Sequence, residues 1–132
     1  MIAVDTNVLI RLVIFDDPMQ SDISDELIRN NRVFVSKGVL MESEWVLRYR
    51  YKFQRERIAS FVQSVLDAYN TLVEDEQEVR HALDWYGLGA DFADALHLAA
   101  CGTAVMHTFD RGFCRGAREA GVAPLVRVLE VQ

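Results

Sequence analysis

Short apolar runs alternate with helix-periodic stretches along this chain, and that alternation narrows the fold more than any other feature of the sequence. The runs 2–4, 33–35, 71–73, 104–108 and 125–129 read as strands. Between them, 7–14, 21–30, 38–51, 55–69, 76–86, 91–100 and 113–120 read as helices, several with apolar residues spaced by three and four. Strands separated by helices predict an α/β fold with a mainly parallel sheet, its strands buried on both faces. Ser21 or Asp22 is the expected cap of the second helix. In the helix over 38–51, Leu40, Trp45, Val46 and Leu47 are the expected apolar contacts, and Glu44 is expected at the surface.

The 132 residues, 51% apolar and 26% charged, suit one hydrophobic core, so a single domain over 1–132 is expected. The longest uncharged stretch, 95–109, is too short to span a bilayer. The opening residues, MIAVDTNVLI, lack the basic start of a signal peptide, and a cytoplasmic location is expected. Cys101 and Cys114 have no CxxC spacing and no histidine cluster beside them; they read as buried, reduced thiols. The formal charge of −6 gives a field that does not attract nucleic acid, so any such contact must be local or metal-assisted.

Ligands in open α/β sheets bind beyond the carboxyl ends of the strands, and four acids from four distant segments fall there. Asp5 directly follows the first strand. Glu42 lies in the first turns of the helix after the second. Asp94 lies in the first turn of its helix, and Asp110 follows the fourth strand. Each has a plainer explanation. Asp5 can begin an Asx-turn, Glu42 can be a solvated helix residue, and Asp110-Arg111-Gly112 can be a simple turn. Asp91 suits an N-cap, with Asp94 three positions on as in a capping box. Together, clustered carboxylates without Lys or Arg repel one another unless a hard divalent cation joins them, and oxygen-only donors select Mg²⁺ or Mn²⁺ over zinc. His97 reads as a core or hydrogen-bonded residue, His107 as part of a buried strand, and His81 as a surface residue.

The segments MIAVDTNVLIRLV, VLMESEWVLRYRY, DFADALHLAA and HTFDRGF resemble the four acidic motifs of PIN-domain ribonucleases. Their order and spacing are most similar to those of the VapC-type toxins of prokaryotic toxin–antitoxin pairs, over nearly the whole chain. The resemblance implies a PIN-like three-layer α/β sandwich with a central, mostly parallel five-stranded sheet. It implies an acidic catalytic site of Asp5, Glu42, Asp94 and Asp110. Asp5, Asp94 and Asp110 would be the Mg²⁺ (or Mn²⁺) ligands, and Thr6, Asn7 and Thr108 would orient carboxylates and water. It further implies hydrolysis of RNA with water activated by the cation, a homodimer, and a VapB-type antitoxin through which alone DNA would be bound. Many relatives carry another acid or polar residue two positions after the last aspartate. Here that position is Gly112, so a fifth carboxylate is missing.

The stretch RYRYKFQRER, 48–57, interleaves cations with aromatic residues. It reads either as an RNA grip, with Arg48, Arg50 and Lys52 on phosphates, or as a helix junction whose aromatics face a core or a partner. Two other functions fit the fold class. An aspartyl-phosphate phosphatase would use Asp5 as nucleophile, but needs a second aspartate where Asn7 stands and a well-placed lysine, and the only lysines are Lys37 and Lys52. A non-catalytic nucleic-acid-binding or interaction module would keep the acids merely as caps.

Overall fold

The computed structural model describes residues 1–132, which divide into two compact units, Met1–Glu76 and Gln77–Gln132. In the first, β1 (Ile2–Ala3), β2 (Val33–Val35) and β3 (Thr71–Val73) form a parallel sheet in the order β1-β2-β3. The register pairs Ile2 with Val33, Ala3 with Phe34, and Val33, Phe34 and Val35 with Thr71, Leu72 and Val73.

The connections are helical: α1 (Thr6–Ile10) and α2 (Pro18–Arg29) precede β2, and α3 (Lys37–Tyr49) and α4 (Arg55–Asp67) precede β3. Polar caps set where the first three begin. Asp5 accepts from the Val8 N–H at 3.1 Å, Asp17 from Gln20 at 3.1 Å and Ser36 from Val39 at 3.1 Å, each satisfying an N–H that has no partner within its helix. α2 therefore starts before the expected Ser21 or Asp22. Asp17 is its cap, and Pro18, whose missing N–H is harmless in the first turn, follows it. Ser21 and Ser24 are buried instead, and the Ser21 hydroxyl donates to the Ile14 carbonyl at 2.9 Å. With its serines inward, α2 leaves Met19, Ile23 and Leu27 exposed at i, i+4 and i+8. Val33, Val35, Leu40, Leu47, Ile58, Val62, Leu66 and Ile10 make up the apolar interior.

The second unit holds most of α5 (Glu76–Gly87), then α6 (Phe92–Ala99), β4 (Met106–Thr108), α7 (Arg115–Glu119) and β5 (Val126–Val128). β4 and β5 pair in parallel, Met106 with Val126, His107 with Arg127 and Thr108 with Val128. Tyr86 packs edge-on against Phe92, with ring centroids 5.3 Å apart, beside the buried Val79, Ala82, Ala95 and Leu98. Gly116 is required where it stands, since a Cβ there would lie 2.1 Å from the Leu88 carbonyl oxygen.

The strands are parallel and helices connect them, as an α/β fold demands. The strands pair as two sheets, of three and two strands, where one five-stranded sheet was expected. The strands are only two or three residues long. Asp5 turns the chain into α1 directly after Val4, and β4 begins at Met106, two residues later than expected. Burial on both faces is also not general, for His107 in β4 and Arg127 in β5 are exposed.

Candidate active site

In the first unit, β1 and β2 run parallel, so their carboxyl ends share one edge of the sheet. Asp5 lies just past β1, and Ser36 opens α3 just past β2. One Asp5 oxygen, Oδ1, is engaged by the Val8 N–H as the α1 cap. The cap and the candidate ligand are thus the same carboxylate, and its other oxygen is left for chemistry. Thr6 is buried, with its hydroxyl unpartnered, and Asn7 is exposed. Glu42 is exposed on the second turn of α3.

Glu44 reverses its expected place. It is 3% exposed, and its carboxylate grips Arg48 in a bidentate pair, Nε to Oε2 at 2.6 Å and Nη2 to Oε1 at 3.2 Å. That hydrogen bond, with the Glu44 charge, raises the Arg48 pKa above the ordinary arginine value. Arg48 is therefore held by Glu44, while Arg50 and Lys52 are exposed. Trp45, expected in the core, is exposed as well.

The second unit brings Asp94 and Asp110 together. Asp91 caps α6, its Oδ1 accepting from the Asp94 N–H at 2.9 Å. The Asp94 side chain turns to the 110–114 segment, where its Oδ2 accepts from the Cys114 N–H at 3.2 Å. Cys114 adopts φ +50°, a left-handed conformation unusual for a residue with a side chain. The Asp110 N–H donates to Thr108 Oγ1 at 3.0 Å, and the Gly112 N–H donates to Asp110 Oδ1 at 2.8 Å. Thr108 thus holds the backbone of the segment that carries Asp110.

Partial burial raises the Asp94 pKa above the ordinary aspartate value. The Cys114 N–H opposes this, the charges of Asp91 and Asp110 add to it, and His97 opposes it more weakly. Asp5, Glu42, Asp94 and Asp110 have no ion-pair partner. Unneutralised carboxylate oxygens are the donor chemistry that a hard divalent cation takes, and Asp94 and Asp110 both offer it. No group of three or more His, Cys, Asp and Glu side chains is gathered to hold a metal ion.

At the position of the missing fifth acid, a Cβ on Gly112 would sit 3.3 Å from both Asp110 Oδ1 and the Arg115 guanidinium. Any side chain there presses on the two groups at once. His97 and His107 are exposed, not buried, since His97 lies on the outward side of α6 and His107 on the open face of β4. Cys101 is half-buried; only Cys114 is fully enclosed. Sequence reasoning missed the Cys114 N–H and the Glu44–Arg48 pair. A left-handed non-glycine residue leaves no signal in sequence. The i, i+4 spacing of Glu44 and Arg48 was available as a signal, but says nothing of burial.

No helix is long and apolar enough to cross a membrane. Comparison with curated proteins gives no match. The family model described as the PIN domain matches residues 2–119, nearly the whole chain, and the chain belongs to the PIN-domain family.

Proposed function

We propose that this PIN-domain chain is a Mg²⁺- or Mn²⁺-dependent endoribonuclease, the VapC-type toxin of a toxin–antitoxin pair. The family is a nuclease-type fold whose members are typically metal-dependent, which supports a hydrolase at that coarse level. The observation that carries the finer reading is the Asp94–Asp110 pair: two carboxylates in electrostatic reach, neither ion-paired. The motif resemblance alone assigns Asp5 and Glu42 as further catalytic acids, and Asp5 as a ligand.

A divalent cation bound by such acids lowers the pKa of water and offsets charge on a phosphodiester. The chain's own residues do the rest. The Cys114 N–H fixes Asp94, the Gly112 N–H and the Thr108 hydroxyl fix the turn bearing Asp110, and the α1 cap fixes Asp5. Glu42, on the solvent side of α3, orients or deprotonates the attacking water. The phosphatase reading is weaker: Lys37 is ion-paired with Asp75 at 2.7 Å, and Lys52 is exposed on the segment after α3.

The partners follow from the same reading: a homodimer, and a VapB-type antitoxin that carries any DNA binding. The exposed α2 stripe of Met19, Ile23 and Leu27, bordered by Asp22 and Glu26, supports a basic amphipathic antitoxin helix. Ile23→Glu should leave the protein folded and weaken its inhibition by the cognate antitoxin; undiminished inhibition would remove α2 from the interface.

The decisive experiment is cleavage of a panel of structured and unstructured RNAs with Mg²⁺ or Mn²⁺, beside EDTA and an identically purified Asp5→Ala protein. Cuts made only by the unaltered protein with metal support the reading. Equal cutting by both proteins, or none by either in antitoxin-free samples that bind no Mn²⁺, would sink it.

A further inference from the structure

The outward face of α3 carries two large aromatic residues that the fold does not bury. Trp45 is 56% exposed and Tyr49, one turn later, is 50% exposed. Their ring centroids lie 5.1 Å apart with planes inclined at 44°, and the Arg48 guanidinium sits 4.3 Å over the Tyr49 ring. Arg48 is itself locked by the buried Glu44. Tyr49 is therefore braced by Arg48, and Trp45 packs against Tyr49, so part of the ordering cost of the surface is already met by folding.

The surroundings point to a class of ligand. Arg48, Arg50, Lys52, Arg55 and Arg57 all fall within ten residues, in a chain of net charge −6 with 14 Lys and Arg in all. Two of the three aromatics within that stretch are not available as platforms. Phe53 is covered by Arg57 at 3.8 Å, and Tyr51 is half-buried with its hydroxyl directed to Asp16. The open rings, Trp45 and Tyr49, lie on α3, with Arg50 and Lys52 exposed just past its end. Trp45 also lies three residues after Glu42, about 4.5 Å along the helix axis. One helix thus bears a candidate acid and, on its next turns, exposed rings and then exposed cations.

The geometry points to Trp45 and Tyr49 as a base-stacking platform for single-stranded RNA, with Arg50 and Lys52 on the adjoining phosphates. This rests on the nuclease reading above and names the form of RNA it takes. Bases inside an A-form helix are already stacked and cannot reach a side-chain ring, so the platform selects unpaired nucleotides. The inclined rings leave no slot between them for a base, and Arg48 covers one face of Tyr49. The outer face of Trp45 is the main stacking surface.

The test is binding of an eight-nucleotide oligoadenylate in EDTA, which separates binding from cleavage, with Trp45 fluorescence read in a Trp85→Phe background. Trp85 is 8% exposed and reports on the interior. The oligonucleotide should quench Trp45 and shield it from acrylamide. Trp45→Ala should weaken binding on the order of tenfold, and Trp45→Tyr should restore most of it. Arg50→Glu with Lys52→Glu should weaken binding and flatten its salt dependence.

Unchanged affinity in Trp45→Ala overturns the platform. If that variant also falls from dimer to monomer by sedimentation equilibrium, the face is an interface between copies and the proposal is equally overturned. RNA cleavage that persists unaltered in Trp45→Ala would sink the platform and spare the nuclease. Stacking on Trp45 by a protein that cuts no RNA would do the reverse.

Discussion

The surroundings of Asp94 disfavour its charge. Burial and the charges of Asp91 and Asp110 raise its pKa, and only the Cys114 N–H and His97 act the other way. A carboxyl whose folded pKa lies above its unfolded value favours the folded state most when protonated. That contribution is fully present below the unfolded value of about 3.9 and is lost as pH rises through the folded pKa. At neutral pH and without metal, Asp94 therefore disfavours folding. Asp94→Asn should abolish RNA cleavage yet melt at the same or a higher temperature in EDTA at pH 7, the gain shrinking towards about pH 3. A loss of several degrees at pH 7 would contradict this account of the site. Cys114 gives a second handle. Burial and the Asp94 charge push its thiol up to about 11, whereas Cys101 is half-buried. One thiol should react promptly with a disulfide reagent at pH 8 and the other only in denaturant; two prompt thiols would mean that Cys114 is not enclosed.

At the scale of elements, local chemistry and close contact divide the control. The Asp17-Pro18 pair starts α2, and Asp17→Ala should cost about 1 kcal/mol in denaturant melts. Two glycines should behave oppositely. A Cβ on Gly116 meets the Leu88 carbonyl oxygen at 2.1 Å, so Gly116→Ala should cost about 2 kcal/mol or more by overpacking. A Cβ on Gly87, the last residue of α5, meets nothing within 4 Å and needs no positive φ. Gly87→Ala should be neutral or stabilising by about 0.5 kcal/mol, because it restricts the unfolded chain. Equal losses at the two positions would show that contact at Gly116 is not what matters.

For the whole molecule, the excess of acids sets the response to ions. With a net charge of −6 and no ion-pair partner on Asp94 or Asp110, bound Mn²⁺ should raise the melting temperature. Binding to the folded state alone contributes about 2.7 kcal/mol at a hundredfold excess over Kd. Asp94→Asn and Asp110→Asn should each remove most of that rise, measured by scanning calorimetry with and without Mn²⁺. A rise that survives in both variants would mean the cation binds elsewhere.

The sequence by itself determined most of the elements and the family. Periodicity located β2 and β3 to the residue and every helix approximately, because a buried face repeats at the period of its backbone. The four acidic segments pointed to the family, and Asp91 was legible as a cap because capping needs only local spacing. Tertiary structure decided what depends on distant neighbours. It divided the strands between two sheets, left Met19, Ile23, Trp45 and Tyr49 outside, and buried Glu44 with Arg48. It also turned the Cys114 N–H onto Asp94, twenty residues away. Periodicity records that a face is apolar but not what covers it, and a backbone N–H carries the same label in every residue until the fold gives it a direction.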